Sequence, residues 1–126
     1  MRAPVFLTLA EVIEVHADQI RRYGGSEGIR DIDLLSSAIA MPSASFSDEF
    51  LHADLFGMAA AYAFHLSQNH PFVDGNKRTA LASSLVFLEM NGIIVDDTRN
   101  ILYDAMIALA AGKVGKTEFA QILRGL

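Results

Sequence analysis

Two long helical patterns meet at a break that no continuous helix can cross, and this junction leaves few architectures open to the chain. From about Asp48 to Asn69, the residues Phe50, Leu51, Leu55, Met58, Ala59, Tyr62, Ala63 and Leu66 form a wide apolar stripe. A helix with such a stripe is buried on much of its girth, so it is central and others must pack around it. It ends at His70-Pro71, because proline disfavours helical backbone at the residue before it and has no N–H to donate. Beyond Gly75 a second long pattern runs from Asn76 to Asn91, with Leu81, Leu85 and Leu88 facing inward and Gly92 as its C-terminal cap.

Shorter elements flank this pair. Thr8-Leu9-Ala10-Glu11 is a capping box, and Val12, Ile13, Val15, His16 and Ile20 follow at helical spacing until Tyr23-Gly24-Gly25. After a loop containing Gly28, Asp31 caps a short helix carrying Leu34, Leu35, Ala38 and Ile39, which stops before Pro42. Ile93-Ile94-Val95 is expected to be a short extended piece. Two last helices, Ile101 to Ala111 and Thr117 to Leu123, are separated by Gly112 and Gly115. The expectation is an all-α fold: a compact bundle of five to six helices with little or no sheet, forming one domain over residues 1–126.

Composition narrows the functional classes. Hydrophobic residues make up 52% of the chain against 20% charged, ample for a core and opposed to disorder. The absence of cysteine excludes disulfides, thiolate zinc sites and a cysteine nucleophile, and points to a reducing compartment. The opening residues, with one basic residue and a short apolar stretch reaching Glu11, are too short for a signal-peptide core or a spanning helix. The expected location is the cytoplasm. A net charge of −5 leaves no basic stripe to track a nucleic-acid backbone, although a local cationic pocket remains compatible with it.

The chemistry concentrates in the break. His70-Pro71-Phe72-Val73-Asp74-Gly75-Asn76-Lys77-Arg78 brings an imidazole, a carboxylate, a glycine, an amide and two cations into nine residues directly before a helix N-terminus. Gly75 lets the backbone approach a ligand closely, and the first helical turn presents unpaired N–H groups at the positive end of the helix dipole, a combination suited to phosphate. Asp74 supplies a hard oxygen ligand for Mg²⁺, which binds one or two carboxylates together with substrate phosphates and waters. Asn76, Lys77 and Arg78 are placed to hold the remaining phosphate oxygens. His70, at the other end of the loop, is of the residue type best suited to take a proton from an attacking hydroxyl.

These nine residues resemble the Fic motif, His-Pro-Phe-x-Asp/Glu-Gly-Asn-Gly-Arg, with Lys77 in the second-last position. Lysine there marks the Doc (death on curing) branch of the Fic/Doc family. Tyr23-Gly24-Gly25, Gly28-Ile29-Arg30-Asp31, Leu35 through Ala40 and Arg78-Thr79-Ala80 resemble that branch as well. In the general family the resemblance implies transfer of AMP from ATP to a protein hydroxyl, the motif glycine leaving room for the nucleotide phosphates. Lys77 removes that room. The Doc-like branch implies instead reversed ATP and transfer of its γ-phosphate to a Ser/Thr hydroxyl, with elongation factor Tu the target of a phage-encoded member and a Phd-like antitoxin acting in trans.

On this resemblance His70 is the general base and Asp74 the magnesium ligand. Gly75, Asn76, Lys77 and Arg78 bind the ATP phosphates, and Phe72 anchors the loop in the core. The span from Ala40 to Phe50, with Pro42 and Phe46, falls where such proteins place a flap that holds the target segment extended. The family's self-inhibitory Ser/Thr-x-x-x-Glu-Gly/Asn string does not occur in these residues, so inhibition is expected from a partner. A different class, a binding module without turnover, is opposed by the intact His70 and Asp74.

Blander readings apply elsewhere. His65 lies five positions before His70, a spacing that does not stack the two on one helix face, and is expected to be a core or capping residue. His16 and His52 have no partners at ligand spacing and are read as structural or solvated. Gly112-Lys113-Val114-Gly115-Lys116-Thr117 lacks the first glycine and the preceding strand of a P-loop, and is read as a turn with Thr117 near a cap. Asp96-Asp97 is read as starting a helix, and Arg21-Arg22 as a solvated face.

Overall fold

The structure is a computed structural model, and it describes residues 3–126. The elements are α1 (Leu9–Tyr23), α2 (Ile32–Ala40), β1 (Ser45–Phe46), β2 (Glu49–Phe50), α3 (Leu55–Asn69), α4 (Asn76–Met90), α5 (Leu102–Ala110) and α6 (Lys116–Arg124). Among the described residues no helix is long and apolar enough to cross a membrane.

Helix α3 is the centre, as its stripe predicts. The six consecutive residues from Met58 to Ala63 are all buried, and four of them are alanines, whose small side chains let neighbouring backbones come close. Helix α4 meets it with an equally small face, Ala80, Ser83 and Ser84, ending in the large Phe87 and Leu88. Leu81 and Leu85, expected to point inward, lie partly buried at the edge of that contact. Helices α2, α5 and α6 complete the shell around α3, while α1 packs on α4.

The caps explain where the helices begin. Thr8 and Glu11 form the reciprocal capping box at α1. The Asp31 carboxylate accepts from Leu34 N–H at 3.0 Å and starts α2. Helix α3 starts later than its apolar pattern, at Leu55, because the Asp54 carboxylate accepts from Gly57 N–H at 2.8 Å and ends the extended chain there. The apolar residues before it serve a hairpin instead: β1 and β2 pair antiparallel with Phe46 opposite Glu49, across a Ser47-Asp48 turn in the left-handed region. Phe50 is tied down by an edge-on contact with Phe6, 5.6 Å between ring centres, and Phe6 stacks in turn on Phe87.

Ile93 to Val95 form no strand; Ile93 and Val95 pack against the core and Ile94 is exposed. Asp97 does start a helix, its two carboxylate oxygens accepting from Ile101 and Leu102 N–H. The Gly112 to Gly115 stretch is an interhelical turn, with the Glu118 carboxylate accepting from Gly115 N–H at 3.3 Å to begin α6.

Candidate active site

The loop between α3 and α4 is built from the core outward. Pro71 and Phe72 are buried, Phe72 to 1% exposure, while His70, Val73, Asp74 and Lys77 are exposed. Phe72 thus works as the anchor its motif position implies. Its ring lies 3.9 Å, centre to centre and nearly parallel, from the ring of buried His16 on α1. His16 also donates from Nε2 to the Asp74 backbone carbonyl at 2.8 Å. Read as structural or solvated from sequence, His16 supports the loop from beneath. The available signal was its place between Val12 and Ile20 at four-residue spacing, which put a polar ring on the buried face of α1.

A second support comes from the α1–α2 loop. Arg30 and Asp31 N–H both donate to the Pro71 carbonyl, at 2.7 and 3.1 Å, and Val73 N–H donates to Gly28 O at 3.0 Å. The Arg30 guanidinium donates through Nε to His70 O at 2.6 Å and through Nη2 to Asn69 O at 2.9 Å. One side chain therefore satisfies two carbonyls that the end of α3 leaves unpaired. His70 itself has φ 47° and ψ 54°, a left-handed conformation uncommon for a residue with a side chain. Arg30 holds the carbonyls on either side of this turn, and the imidazole is exposed.

Asn76 closes the loop on itself. Its amide accepts from Phe72 N–H at 2.9 Å and donates to Phe72 O at 3.0 Å. The side chain expected to reach a phosphate is thereby committed to loop shape, and its backbone N–H is what lies at the helix end. Helix α4 begins after Gly75 at φ 76°, with no side-chain cap bond. The N–H groups of its first turn are left for a ligand.

The charged groups converge above those amides. The Asp74 carboxylate accepts from Ser26 N–H at 3.1 Å and from Gly75 N–H at 2.8 Å. These two bonds, first Ser26 and then Gly75, hold its titration below the usual carboxylate range, with Arg78 and His16 adding attraction. Asp74 is ionised at neutral pH, and each oxygen keeps lone-pair capacity. Arg78 donates to Gly24 O at 2.9 Å, which uses one of its N–H groups. The ion pairs among the described residues, Arg21 and Arg22 with Asp18 and Arg124 with Asp54, lie elsewhere, so Lys77 is in no such pair, while Arg78 lies near the ionised Asp74 without a direct ion pair.

Gly25 makes the close approach possible. At φ 119° a Cβ there would sit 2.6 Å from Asp74 Oδ2 and 3.1 Å from Arg78 Nη2. His70, Val73, Asp74, Gly75, Asn76, Lys77 and Arg78 line one open cleft of about 420 Å³, with Tyr103 and Ile107 of α5 on its wall. All six of the predicted site residues are therefore brought together. Among the described residues no cluster of three or more carboxylate or imidazole groups could hold a metal. A cation here would have Asp74 as its protein carboxylate and take its other ligands from phosphates and water, which is how Mg²⁺ ordinarily binds.

The sequence matches the Fic/DOC family over residues 6–88, from just before α1 to the last turn of α4. The chain belongs to the Fic/DOC family. It is 37% identical over 116 residues to the protein kinase doc of Escherichia phage P1, covering 92% of this chain and 90% of that protein. It is also 42% identical over 71 residues to the toxin Doc of Mycolicibacterium smegmatis, covering 56% of this chain and 55% of the relative. Both relatives carry the Doc name and place the chain in the Doc branch of the Fic/DOC family. The matched region contains the loop, its His16 and Arg30 supports and the start of α4. Tyr103 and Ile107 fall outside the family match but within the span covered by most of the phage relative's length.

Proposed function

We propose that this Doc-branch protein is a toxin-like kinase that transfers the γ-phosphate of ATP to a Ser or Thr hydroxyl of a translation factor of the elongation factor Tu kind. It acts in the cytoplasm and is restrained by a Phd-like antitoxin in trans. The observation that carries this reading is the convergence of His70, Asp74, Lys77 and Arg78 on one cleft at an uncapped helix N-terminus.

His70 takes the proton of the attacking hydroxyl. The hydroxyl oxygen forms its bond to the γ-phosphorus as the bond from that phosphorus to the β–γ bridging oxygen breaks, and ADP leaves with the electron pair. Lys77, Arg78 and the N–H groups from Asn76 onward meet the charge on the transferring and leaving oxygens. Asp74 would hold Mg²⁺, which would supply neutralisation of phosphate charge. The hairpin of β1 and β2 falls within the Ala40 to Phe50 span where the resemblance implies a flap, and a two-stranded edge there would suit an extended target segment. Transfer of AMP is the alternative, favoured by Pro71 and Gly75, which match the general Fic motif; Lys77 in place of the motif glycine opposes it.

The deciding experiment incubates the purified protein with Mg²⁺, a cell extract and ATP labelled at either the γ or the α position. Label on a protein from the γ position supports the kinase reading, and label from the α position replaces it with AMP transfer. Absence of label from both positions, across several extracts, leaves a binding module. In the same assay Gly25→Ala is expected to lose about 10- to 100-fold of the transfer rate, the cost of moving a reacting group by about an ångström. Alanine at this positive φ also strains the backbone, so stability is expected to fall by about 1–3 kcal/mol, which still leaves the protein folded under assay conditions. A variant with unchanged transfer would show that Gly25 does not govern the placing of Asp74 and Arg78.

A further inference from the structure

The candidate active-site cleft has a second wall, and its chemistry differs from that of the first. His70, Asp74, Asn76, Lys77 and Arg78 make the loop side polar and charged, whereas the α5 side is formed by Tyr103 and Ile107. These two stand four residues apart, on one face of the helix. Tyr103 is 67% exposed and Ile107 40%. Asp104 is the one charged residue of α5, so the helix turns an aromatic ring and a branched aliphatic chain to the cleft where an outward face ordinarily carries polar groups.

The helix beneath them is fixed in place. Leu102, Ala105, Met106 and Leu109 bury its other face in the core, and the Asp97 carboxylate accepts from Ile101 and Leu102 N–H, at 2.8 and 3.1 Å, immediately before Tyr103. The backbone that carries the tyrosine ring is therefore already ordered, and only two side-chain torsions remain to be fixed when the ring is covered.

An exposed apolar pair needs no explanation by itself. This pair borders a cleft whose other wall suits anions, with the uncapped first turn of α4, Lys77 and Arg78. A molecule that fills both halves carries phosphates at one end and a flat apolar surface at the other, which describes a nucleoside triphosphate. The cleft volume of about 420 Å³ suits one molecule of that size. Because the base is tied covalently to phosphates held on α4, it reaches the α5 wall without a second association step. A protein target has no such tether to this wall, since its hydroxyl has to reach only His70.

We propose that Tyr103 and Ile107 form the base-binding platform of the cleft: the nucleotide's base stacks on the Tyr103 ring and covers Ile107 while the loop holds the phosphates. This rests on the nucleotide reading of the cleft given above. The platform serves binding, so its loss raises the nucleotide's Kd and KM and leaves the turnover of the saturated protein close to wild type.

The test compares two ligands that share a phosphate chain and differ in the base. Isothermal titration calorimetry of the full chain is carried out with ATP and with inorganic tripolyphosphate, each with Mg²⁺. Tyr103→Ala should weaken ATP by about 5- to 100-fold, the usual loss when a base is deprived of its aromatic partner. It should leave tripolyphosphate as in the wild type, and Tyr103→Phe should leave both unchanged. The exposed site and the high helix propensity of alanine keep α5 folded in this variant, which circular dichroism checks. Equal weakening of ATP and tripolyphosphate in Tyr103→Ala overturns the platform and leaves the nucleotide reading standing. Unchanged ATP affinity in Tyr103→Ala overturns it as well, and a raised KM for the protein target in that variant assigns the wall to the target. A wild-type chain that binds neither ligand overturns the nucleotide reading and the platform together.

Discussion

On the proposed kinase reading, replacing His70 with alanine is expected to lower phosphoryl transfer by about 10²- to 10⁴-fold, the range that a positioned general base contributes. The fold survives the change, because the imidazole is exposed and has no hydrogen-bond partner among the described residues. What alanine does lose is some tolerance for the left-handed backbone at this position. His70→Asn controls for this, since asparagine occupies that region readily yet cannot accept the proton. Both variants should therefore show the same loss in the label-transfer assay with near wild-type thermal midpoints. Transfer retained by either one would move the base elsewhere in the cleft.

Phe72→Ala removes the loop's anchor and is expected to destabilise the protein by about 3–5 kcal/mol, the usual cost of emptying a fully buried aromatic site. The ring is 1% exposed and stacks on His16, so its loss opens a cavity beside a polar ring that keeps only its bond to Asp74 O. Chemical denaturation at neutral pH would show the change as a large drop in midpoint at a similar slope. Phe72→Leu, which refills most of the volume, should recover much of the loss. A drop below about 1 kcal/mol for Phe72→Ala would mean that the loop is held by its hydrogen bonds alone.

The two variants separate the loop's jobs. His70 is displayed from a left-handed turn whose carbonyl Arg30 holds, whereas Phe72 fixes the height of the loop over the core. Asn76 stands between these roles: its amide closes the loop through both polar atoms of the Phe72 backbone. The motif is thus partly a set of candidate reacting groups and partly a small folding unit.

Much of this was legible along the chain because it is local. Helix caps at Thr8, Asp31 and Asp97 depend on residues within a turn of one another, and the apolar stripe of α3 records burial on nearly every side. The nine residues from His70 to Arg78 are contiguous, so their chemistry could be listed before their geometry was known. The hairpin was hidden inside an apolar run that continues the helical pattern, because Phe50 and Leu51 fit a helix stripe as well as a strand. The start of α3 moved to Leu55 for the same reason.

Sequence alone determined the helical class, the break at Pro71 and the groups that form the cleft, since periodicity, proline sterics and contiguous motif chemistry are properties of near neighbours. Only the tertiary structure decided which distant side chains hold that cleft in shape. His16 is 58 positions from the carbonyl it binds, Arg30 is 40 from His70, and Ser26 is 48 from Asp74. Such pairings arise when helices pack and loops are brought against them, and no spacing along the chain encodes a hydrogen bond whose partners meet only after the core has formed.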